Sequence, residues 1–243
     1  MDLPRDINDI LVEIGIACAI ETALMGVFSL VRPRDACGMD DSPRWSWECS
    51  FIFQAFIFPL LCYNSWVDDG KAPFEEWLVE MWPNGELHST TRYGCRIFMA
   101  TFIGYLAKDF VLDQGLMYVV HHIVSAAICL FFLLGDLPPA FFVMGSTLAE
   151  VGSLAMNIDA MRWFSKYNWP QIAAIIMTFS NVGTVYLIYP LIRDASTRTP
   201  ARMTVSVATF ILCAARQFFA KDVWLKDGLK EVKEYELRRE KKL

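Results

Sequence analysis

Seven apolar stretches of bilayer length, at residues 10–31, 45–66, 93–112, 116–134, 138–158, 170–192 and 202–220, dominate this chain. A helix needs about 20 mostly apolar residues to cross the hydrocarbon core, and in lipid only helices and closed barrels satisfy their own backbone. Seven such runs in 243 residues leave room for one membrane domain and not for a separate soluble enzyme. The expected fold is all-α, a polytopic membrane helix bundle of about seven transmembrane helices. Pro33, Pro138, Pro139, Pro170 and Pro200 stand at the edges of the runs, where helices start and stop. Pro59 lies inside the second run and is expected to kink it, because it has no N–H for the helix ladder.

Composition narrows the function classes. A formal net charge of −5, with no clustered basic face, argues against a nucleic-acid partner. Cys18, Cys62, Cys95, Cys129 and Cys213 fall inside apolar runs, where cysteine behaves as a small hydrophobe. The N-terminal MDLPRDINDI has no basic n-region, so the first run reads as a retained helix and not as a signal peptide. Between the second and third runs, Phe74, Trp77, Leu78, Met81 and Trp82 recur at helical spacing. They predict a short helix lying either in the membrane interface or back against the bundle.

The polar residues inside the apolar runs carry whatever chemistry there is. Ionisable groups in such spans are costly and face a protein interior or a water-filled cavity. His121 and His122 are adjacent in the run 116–134, about 100° apart on a helix, so each needs its own partner. Imidazole titrates near neutrality and suits a general base, whereas the structural alternative is two core histidines donating to carbonyls. Glu150, Ser153 and Asn157 share one helix face by their offsets of three and seven, and His122, Ser125 and Cys129 do likewise. Asp109, Ser125, Glu150, Ser153 and Asn157 are therefore the expected polar lining of a cavity. Lys108 and Arg216 are candidate partners for Glu150, with Arg216 close enough to its span end to snorkel. His88, the third histidine, sits in a loop, so no metal site is expected. HExxH, GxSxG and phosphate-binding loop motifs are absent, and no cofactor is expected.

Taken in order, Gly104-Tyr105 and Asp109, then His121-His122, then Glu150 and Asn157, with Arg162-Trp163 close behind, resemble the TLC-domain family of membrane proteins, which includes the ceramide synthases. The resemblance covers about residues 45–220. It implies a six-helix core around a lipid-accessible cavity with the histidine pair pointing inward. Residues 1–44 would then be an added N-terminal helix and loop, and residues 221–243 a basic cytosolic tail. It further implies membrane lipid as the partner and the endoplasmic reticulum as the location; it names no protein partner. In ceramide synthases the histidines serve acyl transfer from acyl-CoA to a sphingoid amine, and paired aspartates precede the glutamate. Here Val143 and Ser146 hold the places seven and four residues before Glu150, so the chain looks closer to the branch without that pair. Even from that branch it departs, with Gly152-Ser153-Leu154 where a Ser-Thr-Pro run is usual. Three readings follow: a lipid-binding or lipid-sensing protein of membrane-lipid homeostasis, an acyl-CoA-dependent lipid N-acyltransferase with His121 and His122 catalytic, or a cargo adaptor or structural bundle.

Basic residues set the expected orientation. With seven spans, Arg32, Arg34, Arg44, Arg162, Lys166 and the lysines of the tail share one side, which predicts a cytosolic C-terminus. A tag placed after Leu243 should be digested by protease in intact microsomes. Protection until detergent is added would invert this topology.

Overall fold

Helices account for nearly all of the described residues in a computed structural model, which are 5–31, 44–79, 93–109, 116–134, 137–161, 163, 169–193 and 199–240. In chain order they are α1 (Arg5–Val31), α2 (Arg44–Ile52), a π-helical turn (Phe53–Ile57), α3 (Phe58–Asp68), α4 (Phe74–Val79), α5 (Tyr93–Asp109), α6 (Leu116–Leu134), α7 (Pro139–Ala160), α8 (Trp169–Arg193) and α9 (Pro200–Glu240). The expectations that rest on Arg32, Pro33, Arg34, Met81, Trp82, His88, Arg162, Lys166 and the last three residues lie outside the described residues.

Among the described residues, five helical segments are long and apolar enough to cross a membrane: Asn8–Val31, Trp45–Asp68, Pro139–Ala160, Trp169–Arg193 and Pro200–Asp222. The other two expected spans appear as shorter helices, with α5 at 17 residues and the apolar part of α6 at Val119–Leu134. Large apolar side chains stay exposed along the long spans, among them Ile16, Ile20, Phe179, Tyr186, Phe210 and Phe218. A soluble monomer rarely exposes contiguous apolar patches larger than a few hundred Å². The fold is that of a multi-pass, all-α membrane protein.

Neighbouring helices follow one another around the bundle. The segment α2–α3 lies beside α5, α5 beside α6, α6 beside α9, α9 beside α8, α8 beside α7, and α7 returns to α2–α3. The remaining long helix, α1, packs chiefly on α5. The Glu13 carboxylate pairs with the Arg96 guanidinium at 2.9 Å. Further along both helices, Gly104 approaches Ala17 so closely that a Cβ on it would lie 3.0 Å from the Ala17 carbonyl carbon. Both contacts advance in the same sense, so α1 and α5 run parallel. Glu13, which weakens the first run as a span when read alone, is offset by this partner.

Pro59 acts by widening a turn. Lacking an N–H, it cannot bond the Ala55 carbonyl, and the Phe58 N–H instead donates five residues back to the Phe53 carbonyl. That π-helical turn carries Gln54, which is buried. The short helix α4 packs back on the bundle beside α7, with Trp77 and Leu78 buried and Phe74 half-exposed. At the other end α9 continues unbroken past the membrane span for 41 residues in all, about 60 Å at 1.5 Å per residue.

Gly104→Val should destabilise the protein by about 1–3 kcal/mol, the usual cost of forcing extra carbons into a packed contact. Thermal unfolding in detergent checks it. A variant as stable as the parent would mean that α1 is not held against α5.

Candidate functional site

A cavity of about 70 Å³ lies inside the bundle, walled by α5, α6, α7, α8 and α9. Its two ends differ. Phe102, Phe132, Phe141 and Phe142 line one end, with Phe142 edge-on to Phe102 at 5.3 Å and tilted against Phe132 at 5.5 Å. The other end holds His121, Ser125, Ser146, Glu150 and Arg216. The space exists because α7 turns Gly145, Ser146 and Ala149 toward it, and these small side chains leave room that larger ones fill elsewhere.

On α6, the wall is made by His121, Ser125, Ile128 and Phe132, spaced four, three and four residues apart as one helix face requires. The face that His122, Ser125 and Cys129 share by their spacing is thus not the wall as a whole, since only Ser125 of the three lines the cavity. The helix is rotated by about one residue: His122 is buried off the wall, and the Cys129 thiol donates to the Met99 carbonyl on α5 at 3.6 Å. The two imidazole rings stay 5.5 Å apart, and His121 has no hydrogen-bond partner among the described residues.

Glu150 is held from the π-helical turn. One Gln54 amide nitrogen donates to the Glu150 Oε2 at 2.7 Å and to the Tyr105 hydroxyl at 2.8 Å, while the Gln54 carbonyl accepts from the Asn157 amide at 2.6 Å. Gln54 thus ties α7 to α5 through three side chains that are all buried. The Lys108 ammonium donates to the Ser50 hydroxyl at 3.0 Å and sits 4.3 Å from the centre of the Tyr105 ring.

Arg216 does not snorkel. Its Nε donates to the Asn181 Oδ1 at 3.0 Å, Nη1 to the Ser153 hydroxyl at 3.2 Å, and Nη2 to the Ala149 carbonyl and the Met177 sulfur. Asn181 in turn donates to Gln217, and Gln217 to Thr178. Close approach of α7 is possible because Gly152 has no Cβ; one built there would stand 2.8 Å from both the Met177 sulfur and the Ser180 hydroxyl. The Gly152-Ser153 pair therefore serves this junction, the glycine by its lack of bulk and the serine as an acceptor.

No family model, no curated protein and no solved structure matches this chain. Among the expected residues, His121, Ser125 and Glu150 line the cavity, and Ser153 and Asn157 lie behind its wall as partners of Arg216 and Gln54. Asp109 ends α5, and its side chain lies outside the described residues. No group of three histidine, cysteine or acidic side chains able to hold a metal ion occurs among the described residues. Sequence reasoning missed Gln54 and Asn181, whose signal was the same as that of Glu150: a strongly polar side chain inside an apolar run.

Replacing Gln54 by Leu removes both a donor and an acceptor and should destabilise by about 1–3 kcal/mol for each buried group left unpaired. A double-mutant cycle with Asn157→Leu measures the coupling. Strict additivity of the two losses would show that the network makes no joint contribution.

Proposed function

We propose that this protein binds or senses a membrane lipid in the cavity between α5 and α9, in the manner of a TLC-domain protein with a six-helix core. The observation that carries this reading is the two-ended cavity at the level of the spans, aromatic at one end and polar at the other. Its chemistry matches an amphiphile, with an apolar chain against the phenylalanines and a head near His121, Glu150 and Arg216. The neighbour order of α2–α3, α5, α6, α9, α8 and α7, with α1 packed chiefly on α5, supports this reading. Residence in the endoplasmic reticulum with a cytosolic C-terminus belongs to the same proposal.

A second reading keeps one specific support. His121 stands on the cavity wall with no hydrogen-bond partner among the described residues, as a general base awaiting a substrate amine or hydroxyl would. An acyl-CoA-dependent lipid N-acyltransferase would use it there, with His122 behind it. Of the two places where ceramide synthases carry aspartate, Ser146 lines the cavity and Val143 is packed in the core. Neither supplies a carboxylate, so ceramide formation from sphingoid base and acyl-CoA is not expected.

The deciding measurement is mass spectrometry of lipids that copurify with the wild-type protein and with Ser125→Phe, which fills the cavity. Loss of a specific lipid in the folded variant is the expected result. Identical lipid profiles would remove the cavity from the proposal. If instead the protein makes an acylated lipid and His121→Ala lowers that rate by about 10²–10⁴ at equal folded protein, the acyltransferase reading takes over.

A further inference from the structure

The polar end of the cavity contains two groups of opposite charge that are fixed by different neighbours. Glu150 is held from the π-helical turn by Gln54, whose amide donates to its carboxylate. Arg216 is held by Asn181, Ser153 and the Ala149 carbonyl, and none of its hydrogen-bond partners among the described residues is a carboxylate. Both nevertheless face the same cavity. A charged head seated there would gain from one of these groups and be opposed by the other, having left its own hydration behind. An uncharged head with a donor and an acceptor has no such conflict.

The donor and acceptor inventory agrees. A guanidinium has five N–H groups, and the four bonds formed by Arg216 leave one on Nη1 for an acceptor in the cavity. A carboxylate offers about four lone-pair positions, so Glu150 can accept from a ligand hydroxyl or amide N–H while it accepts from Gln54. His121, in its neutral form, offers one donor and one acceptor on the same wall. Size sets the rest. A water needs at least about 10–15 Å³ on the scale of this cavity, so 70 Å³ corresponds to on the order of five waters. That is room for a small head and the start of one chain.

We propose that the cavity takes a single-chain lipid with an uncharged head bearing a hydroxyl or amide, seated between Arg216 and Glu150 with its chain toward Phe102, Phe132 and Phe142. This rests on the lipid-binding reading above and specifies the class of lipid for it.

The test uses the full-length protein in detergent with two photoactivatable, clickable probes of equal chain length, a monoacylglycerol and a free fatty acid, followed by mapping of the labelled peptides. The monoacylglycerol probe should label cavity peptides about tenfold or more over the fatty acid, as expected when a buried group is left wrongly paired. Glu150→Gln keeps an acceptor for Gln54 but leaves the Arg216 charge unmatched, so it should reverse the preference toward the fatty acid. Equal labelling of the wild type by the two probes, or a fatty-acid preference, would overturn the uncharged-head assignment and leave lipid binding standing. Should Glu150→Gln fold poorly, competition of the wild-type signal by unlabelled monoacylglycerol or fatty acid decides the same question. Absence of cavity labelling by either probe would sink both this assignment and the lipid-binding reading.

Discussion

Every polar group carried into a hydrocarbon environment must find a partner inside the protein, because lipid offers none. In this chain two side chains each serve several helices. Gln54 joins the π-helical turn to Tyr105 on α5 and to Glu150 and Asn157 on α7. Arg216 joins α9 to Ala149 and Ser153 on α7 and to Asn181 on α8. Further polar contacts join α1 to α5, through Glu13 and Arg96, and α8 to α7, through Ser180 and Thr184 to α7 carbonyls. Lipid chains are as apolar as leucine, so polar bonds and close packing between small residues set how the spans align.

Both networks meet on α7, and that shared helix explains where the cavity lies. One side of α7 answers to Gln54 and the other to Arg216, with Glu150 and Ala149 adjacent in sequence. Between these anchors the helix presents glycine, serine and alanine to the interior. A bundle in which such positions carried leucine would close the space. The void is thus a consequence of small residues held at a fixed distance by polar bonds, and the same bonds place a carboxylate and a guanidinium on its wall.

The π-helical turn shows how a backbone irregularity serves the site. Pro59 has no N–H to give the Ala55 carbonyl, and the wider turn stands at that gap in the ladder. The wider turn costs one regular hydrogen bond and carries Gln54 in the interior, where three partners converge on it. Irregular turns inside helices recur at functional positions for this reason.

Much of the architecture was legible in the amino-acid order. Apolar run length fixes membrane helices directly, because bilayer thickness sets the number of residues needed and the backbone has no other way to satisfy itself there. Proline positions marked the starts of α7, α8 and α9 to within a residue or two, and Glu150 announced an interior polar site by its cost in lipid. The sequence also offered His121 and His122 but could not say which one faces the interior, since a helix rotation of about 100° exchanges them. That choice was made by packing: Cys129 meets α5, and the rotation that seats it turns His121 and Ser125 to the cavity. Nor could the sequence pair Gln54 with Glu150 and Asn157, residues 96 and 103 positions away, or keep Arg216 from the headgroups. Those partners are joined by proximity across separate helices, and proximity of that kind exists only once the helices have packed.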